Sequence, residues 1–367
     1  MTDESKEMDL DELRQKIDAI DQKLLVLIND RASYALQVAD AKTAASDGAA
    51  PVFYRPDREA RVLRNLISQN SGPMNTENIA LIFRQIMSAC LALEEPMRVA
   101  YLGPEGTFTQ QATLKHFGKA VLGQPMVTVD DIFREVASEN AHYGVVPVEN
   151  SSEGVISHTL DNFLSSSLRI CGEAELRVHH HLMALPVAGG RVEKIYSHQQ
   201  TLGQCRHWLD SHYPNVPRIA ASSNAQAAMM AKEDGKTAAI AGEIAAQIYE
   251  LDILARNIED QVDNTTRFII VGREDVAASG CDKTSIMVSM ENKPGALFKV
   301  LEPFHRSGVS LTSIETRPSN AGRWSYVFFI DFEGHASDQN IQDVLKVVDR
   351  DALEVKLLGS YPRALRV

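Results

Sequence analysis

The sequence predicts a multidomain protein: an all-α helical domain, an α/β domain of two lobes, and an α+β domain of the ferredoxin-like type. Three textures carry that prediction. As far as Glu95, apolar residues recur only at helical spacing. Between Arg98 and Gly272, short apolar strands alternate with helical stretches, the pattern of βα units. From Lys283 the order is strand, helix, strand, strand, helix, strand, a split βαβ unit. The chain of 367 residues is ample for more than one core. The expected divisions are 1–96, 97–275 and 283–367.

The opening helix is expected from about Asp9 to Lys42, roughly 50 Å at 1.5 Å per residue. That is longer than a domain of this size is wide, so its stripe is expected to need a second chain. The stripe enters through Leu10, Leu13, Ile17, Ile20, Leu24 and Leu27, and its next positions are Arg31, Ala35, Val38 and Lys42. After a polar SDGAAP loop, a second helix carries Val62, Leu63, Leu66 and Ile67. A third, after the turn SGPMN, carries Ile79, Phe83, Ile86, Met87 and Cys90, and its stripe runs on to Glu94. Arg14 flanks the same seam. A buried charge without a partner costs several kcal/mol, and arginine cannot shed its proton. Internal pairing of Arg31 or Lys42 with Glu94 is one reading. Four inward charges of which three are positive fit an anionic ligand inside a dimeric bundle better.

The second region opens on RVAYLGPEGTF, a strand, a glycine turn and a helix start whose N–H groups favour anions. The strand YGVVPV ends in Glu149, Asn150 and Ser151, at the strand end where open α/β sheets bind ligands. Further βα units follow at KIYSHQQTLGQCRHWL, RIAASSNAQAAMMA and AAIAGEIAAQIYEL. NTTRFIIVG places Thr265, Thr266 and Arg267 at the mouth of an apolar strand. Two sets of units joined by crossing strands imply two lobes with a cleft between them. His179, His180 and His181 sit in what reads as a strand, so neighbours point to opposite faces and packing explains them better than a metal.

In the third region Pro294 fits the first turn of a helix and Gly308 its end. No nucleophile–base pair, metal set or phosphate loop is evident there, which reads as a sensor or assembly module. The formal charge of −12 argues against general nucleic-acid binding, and an anionic ligand needs its own cation cluster. The acidic N-terminus is no signal peptide, and no apolar run is long enough for a bilayer. Four scattered cysteines without a CxxC fit a reduced, cytoplasmic protein. No cofactor is called for.

GPEGTF, VPVENS, YSH and NTTRF, then NKPGAL and ETRP, preceded by LRQKIDAID…DR…AK and DRE, occur in this order. In these motifs the chain resembles the bifunctional chorismate mutase–prephenate dehydratase family with a C-terminal ACT domain, along essentially its whole length. The resemblance implies a periplasmic-binding-protein-like dehydratase fold and two reactions of phenylalanine biosynthesis, chorismate to prephenate and prephenate to phenylpyruvate. It implies that Arg14 (from the other protomer of a homodimer), Arg31 and Arg58 hold the substrate carboxylates. Lys42 and Glu94 then serve the ether oxygen and Glu59 the ring hydroxyl, with Cys90 at an often-serine position and Arg55 at an often-acidic one. For the dehydratase it implies Thr266 as the essential residue and Arg267 as carboxylate anchor, with Thr107, Glu149, Asn150, Ser151, Ser197 and Gln204 along the cleft. A relay through Glu149 or water stays open, as does a mere capping role for Ser151 and Ser197. In the ACT domain Gly295, Ala296, Leu297, Glu315, Thr316, Arg317 and Pro318 correspond to the phenylalanine-binding segments. The competing reading is a non-enzymatic amino-acid sensor, which leaves the cations of the helical region unexplained.

Overall fold

The structure, a computed structural model, describes residues 9–45, 54–152, 154–186, 192–291, 293–318 and 325–365. The segment before Asp9, the SDGAAP loop and Asn292 of NKPGAL lie outside them. The first region is helical: α1 (Leu10–Ala45), α2 (Pro56–Gln69) and α3 (Thr76–Glu94). At 36 residues α1 is about 54 Å long, and none of its residues is buried. Leu10, Leu13, Ile17, Ile20, Leu24 and Leu27 of the expected stripe are all exposed. By contrast α2 and α3 lie against the rest of the chain. Arg64 donates to the carbonyls of Ser279 and Cys281, and Ser88 packs on Gly118, where any Cβ would come within 2.4 Å of it.

The first lobe comprises β1 (Arg98–Leu102), α4 (Phe108–Phe117), β2 (Leu122–Met126), α5 (Val129–Ala137), β3 (Tyr143–Asn150), β4 (Gly154–Val155), α6 (Ser157–Ser165) and β5 (Arg169–Arg177). The second comprises β6 (His181–Ala184), β7 (Lys194–His198), α7 (Gln199–Gln204), α8 (Arg206–His212), β8 (Arg218–Ala221), α9 (Asn224–Glu233), β9 (Thr237–Ala241), α10 (Glu243–Tyr249) and β10 (Asp252–Ala255). The chain then returns to the first lobe as β11 (Thr265–Gly272). Strand order is β2-β1-β3-β11-β5 in one sheet and β10-β6-β9-β7-β8 in the other, the two lobes expected. The histidine triplet does not lie within one strand: β5 ends at Arg177 and β6 begins at His181, so His179 and His180 belong to the crossing.

Alternation along β11 sorts its side chains onto the two faces of the first sheet. Phe268 and Ile270 join the core on the α4 face, whereas Ile269 and Val271 join the core on the other. On the neighbouring strand the count breaks. Arg267 pairs with Glu149 and Phe268 with Pro147, so Val148 is an extra residue, a β-bulge in β3.

The last region is β12 (Asp282–Glu291), α11 (Ala296–Arg306), β13 (Leu311–Pro318), β14 (Ser325–Glu333), α12 (Gln339–Asp351) and β15 (Glu354–Pro362). Its antiparallel sheet, β13-β14-β12-β15, has the ferredoxin-like order expected of βαββαβ. Gly308 (φ +64°) does end α11, but Pro294 precedes Gly295 (φ +78°), which caps the helix, rather than occupying its first turn. The helices cover one face of the sheet. The other face is continuous with the first lobe: Met287, Val327, Phe329, Leu358 and Tyr361 share one core with Val146, Phe163 and Ile269. At Gly359 the approach is so close that a Cβ would lie 2.2 Å from the Ile170 carbonyl oxygen.

Candidate active sites

The helical region encloses a cavity of about 530 Å³. From α1 it is lined by Arg31, Tyr34, Ala35, Val38 and Lys42, the lower half of the stripe whose charges raised the question of a ligand. From α2 come Arg58 and Glu59, with Arg55 at the helix's N-cap, and from α3 Met87, Cys90, Leu91 and Glu94. Arg31, Arg58, Lys42 and Glu94 thus line one cavity. Arg14 does not: it lies seventeen residues earlier on α1, about 25 Å from Arg31 along the helix, and pairs with Asp11.

Burial raises the Glu94 carboxyl above its usual range, against the pull of Lys42 and Arg31, and among the described residues its Oε2 has no hydrogen-bond partner. Burial lowers the Lys42 ammonium, opposed by Glu94 and helped by Arg55 and Arg58. Both groups are therefore moved toward their neutral forms. Glu59 is held from behind, accepting from Arg84 Nε at 3.2 Å, and burial raises its carboxyl against that arginine. Arg55 pairs with the buried Asp57, which also holds Arg61 at 2.6 Å, so the nearby acidic group is Asp57 itself.

The second site lies where the α4 N-terminus and the ends of β3 and β11 meet the second lobe. Tyr249 donates to the Glu105 carbonyl at 2.7 Å, and Phe108 meets the ring of His180 edge-on. Thr266 and Asn150 face each other here, Asn150 Nδ2 donating to Thr266 Oγ1 at 2.8 Å. The Ser152 N–H donates to Asn150 Oδ1, which fixes the amide's orientation. Since Thr266 Oγ1 accepts from Asn150, its own hydrogen is left to be donated elsewhere.

A cavity of about 590 Å³ lies between the lobes, lined among the described residues by Ser152, Gln200, Gln204, His207, Glu259, Asp260 and Asn264 with two others; none of them is a lysine or arginine, and neither Asn150 nor Thr266 is among them. Gln204 pairs with His180 Nε2 at 2.8 Å, and the buried Glu259 accepts from the His180 N–H at 2.9 Å and meets His179 Nδ1 at 2.7 Å. The sequence reading missed Glu259 and Asn264. Both lie in the irregular return crossing, where no periodicity marks a residue. Thr107 sits at the α4 N-cap, its hydroxyl donating to the Leu102 carbonyl and accepting from the Gln110 N–H. Ser151 Oγ accepts from the Thr265 N–H at 2.9 Å.

Five expected site residues are placed elsewhere by this geometry. Arg267 faces away from the cleft, because it alternates with Thr266 along β11. Its Nε donates to Glu173 Oε2 (3.0 Å), its Nη1 to Asp331 Oδ2 (2.6 Å) and its Nη2 to the Tyr361 hydroxyl (3.0 Å). Glu149 faces the same way, because the bulge at Val148 turns it out and brings Asn150 in. Ser197 is fully buried; its hydroxyl lies 2.7 Å from the Ile240 carbonyl and 2.9 Å from Asn224 Oδ1, so it ties β7 to its neighbours. Along β13, Glu315 and Arg317 point to the first lobe while Thr316 and Pro318 are exposed. Arg317 grips Asp161 with two bonds of 2.9 and 2.6 Å.

Residues 13–95 match the family described as chorismate mutase type II, residues 99–276 that described as prephenate dehydratase, and residues 284–350 the ACT domain. A bifunctional chorismate mutase/prephenate dehydratase of Pseudomonas aeruginosa is 56% identical over 96% of this chain and 97% of its own length. Its counterpart from Aquifex aeolicus is 44% identical over 97% of this chain and 99% of its own. The crystal structure of the Arthrobacter aurescens prephenate dehydratase in complex with L-Phe superposes with a TM-score of 0.67 at 36% identity, covering 73% of this chain and 90% of that one. The chain belongs to the bifunctional chorismate mutase/prephenate dehydratase family, and these are its two activities.

The buried hydroxyl of Ser197 separates a structural residue from a substrate ligand. Ser197→Ala is expected to lower stability by about 1–3 kcal/mol, measured by denaturant unfolding, because it removes a buried donor from two acceptors. The KM for prephenate is expected to stay within about twofold. A large rise in KM with unchanged stability would return Ser197 to the cleft.

Proposed function

We propose that the helical cavity is the chorismate site and the cleft at Thr266 the prephenate site, in a cytoplasmic homodimer divided at 1–96, 97–275 and 283–367. The observation that carries this is the convergence of Arg31, Arg58 and Lys42 with Glu94 in one cavity of a chain whose net charge is −12. Two carboxylates of chorismate take up the positive charge of Arg31 and Arg58. The rearrangement is pericyclic, so the protein holds the compact conformer and stabilises charge at the breaking ether. Lys42 donates there, and Glu94 adds a second donor when protonated. Glu59, already bound to Arg84, offers its remaining lone pairs to the ring hydroxyl. The uncovered apolar length of α1 supports a second copy, whose Arg14 completes the cation set. A single-chain mass in equilibrium sedimentation would remove this part of the reading.

At the second site Thr266, its Oγ1 already accepting from Asn150, donates a hydrogen bond to the departing ring hydroxyl, and solvent water resupplies the proton with which that group leaves as water while CO2 departs. With Arg267 and Glu149 turned away, and with Glu259 and Asp260 taken up by His179 and by main-chain N–H groups, the donors offered to the prephenate carboxylates are the Gln200 and Gln204 amides, the Ser152 hydroxyl and the N–H groups opening α4. L-phenylalanine is the feedback effector, taken at Gly295, Ala296, Leu297, Thr316 and Pro318; the L-Phe complex of the Arthrobacter relative supports this. An amino-acid sensor without catalysis leaves the helical cavity without a purpose.

Incubation of the purified chain with chorismate is the direct test, with loss of chorismate and appearance of phenylpyruvate followed together. Thr266→Ala is expected to stop phenylpyruvate while chorismate is still consumed, so that prephenate accumulates. Arg31→Ala is expected to do the reverse, losing chorismate turnover while supplied prephenate is processed within a few-fold. Phenylalanine is expected to slow phenylpyruvate formation. A folded variant of either kind that loses both activities would contradict two sites.

Because burial raises the Glu94 carboxyl, its protonated, donating form persists above the usual carboxylate range and is lost as pH rises through that shifted value. The kcat for chorismate is therefore expected to fall on the alkaline side, since ionised Glu94 repels the negative charge developing on the ether oxygen. Glu94→Gln, a permanent donor, is expected to lack that descent between about pH 5 and 9, with the dehydratase profile unchanged as internal control. Superimposable mutase profiles would leave Glu94 as a structural partner of Lys42.

A further inference from the structure

Behind Thr266, on the opposite face of the same strand, lies a buried ionic network that neither reaction uses. Arg267 divides its guanidinium among Glu173 of β5, Asp331 of β14 and Tyr361 of β15. Asp331 Oδ1 accepts from Ser285 Oγ at 2.5 Å, so the Ser285 hydrogen is committed, and the Tyr361 hydroxyl at 2.8 Å from Ser285 Oγ is the donor in that contact. The hydrogen bonds thus run in one direction, from Arg267 to Tyr361 to Ser285 to Asp331, and Arg267 also donates directly to Asp331. Lys283 Nζ (2.9 Å) and the Ala364 N–H (3.0 Å) add to Glu173, whose side chain is 1% exposed. Every partner of Arg267 except Glu173 belongs to the C-terminal domain.

We propose that Arg267 is a positioning residue through which the C-terminal domain sets the placement of Thr266 in the dehydratase site. Two features of the backbone make the link short. Thr266 is the next residue on β11, so any displacement of Arg267 is carried one peptide to the cleft. The paired strand repeats the arrangement: Asn150, the donor to Thr266, follows Glu149, which lies in a small cavity with Arg267, Glu315 and Asp331. Both halves of the cleft pair are therefore backed by residues that face the C-terminal sheet. A substrate anchor makes the opposite demand, a guanidinium open to the cleft; this one has its Nε, Nη1 and Nη2 committed on the far side.

The inference rests on the reading of Thr266 as the dehydratase residue, and turnover of prephenate by the parent chain tests that reading separately. Asp331→Asn and Tyr361→Phe touch nothing in the cleft and keep side-chain volume. Each is expected to lower the dehydratase kcat, Asp331→Asn by at least about tenfold, with KM for prephenate within about threefold and chorismate turnover unchanged. Arg267→Lys, which retains the charge but not the three-way fork, is expected to fall in the same direction, and Arg267→Met further. Thermal unfolding of each variant, with assays well below its midpoint, separates misfolding from misplacement. Tyr361→Phe, lacking one hydroxyl only, keeps the test open where the arginine variants do not fold. An unchanged kcat in both Asp331→Asn and Tyr361→Phe would overturn the proposal and leave a purely structural ion pair. A rise in KM at constant kcat for Arg267→Lys would also overturn it, by restoring the arginine as a substrate ligand.

Discussion

One inserted residue, Val148, decides which groups at the end of β3 face the cleft. Strand β3 would otherwise keep its alternation through Glu149 and present that carboxylate to the cleft, with Asn150 behind. The bulge reverses the order at the strand's last two residues. In the proposed prephenate cleft an amide thus stands where the carboxylate would otherwise face. The amide's orientation is then fixed by the Ser152 N–H, and its donor end by Thr266. Arg267 on β11 needs no bulge, since ordinary alternation places it on the side to which Glu149 was turned.

On that side, the buried charges of Glu173, Arg267 and Lys283 answer one another. Burial pushes the Glu173 carboxyl up, but Arg267, Lys283 and the Ala364 N–H outweigh it and leave it below its usual range. A depressed folded value means stability that is present above the unfolded value and lost as pH falls through the folded one. Acid therefore weakens the docking of the C-terminal sheet before it touches the apolar core shared with the first lobe. Removing one partner of such a group costs about 3–5 kcal/mol, whereas exposed pairs such as Arg177 with Asp263 contribute about 0–1 kcal/mol.

What the sequence disclosed and what it withheld divide along the same physical line. The charged stripe Arg31 to Lys42 was legible because helical periodicity is local, and those residues do line one cavity with Glu94. The two lobes and the βαββαβ unit were legible from alternating texture. From the motifs VPVEN and TTRF, the neighbours Glu149 and Asn150, and Thr266 and Arg267, were all expected to serve the cleft. A strand cannot do that, since neighbours oppose one another, and a bulge shows no mark in composition. Ser197 failed for a related reason: its acceptors, Asn224 and the Ile240 carbonyl, lie 27 and 43 residues away. Arg317 likewise finds Asp161 across 156 residues. Long-range polar pairing is where sequence reading stops.

The helical domain is joined to the rest by the same device at smaller scale. Arg84 holds Glu59, a wall of the helical cavity, and donates to the Lys115 carbonyl at 3.1 Å, while Lys115 Nζ reaches the Glu175 carbonyl of β5, two residues from Glu173. His116 between them meets the Tyr54 hydroxyl at 3.2 Å, and burial together with Arg84 pushes its imidazole down to about 3, so it stays neutral and adds no charge to the junction. Glu59, Arg84, Glu173 and Ala364 line one small cavity where all three domains meet. A linker of flexible residues would have left the domains independent. Here Arg64 clasps the segment leading into β12, and the C-terminal sheet shares its core with the first lobe, so a shift in any one domain meets packed atoms of the next. The three folds therefore pack directly on one another, through ion pairs, side-chain contacts to main-chain carbonyls and a shared core.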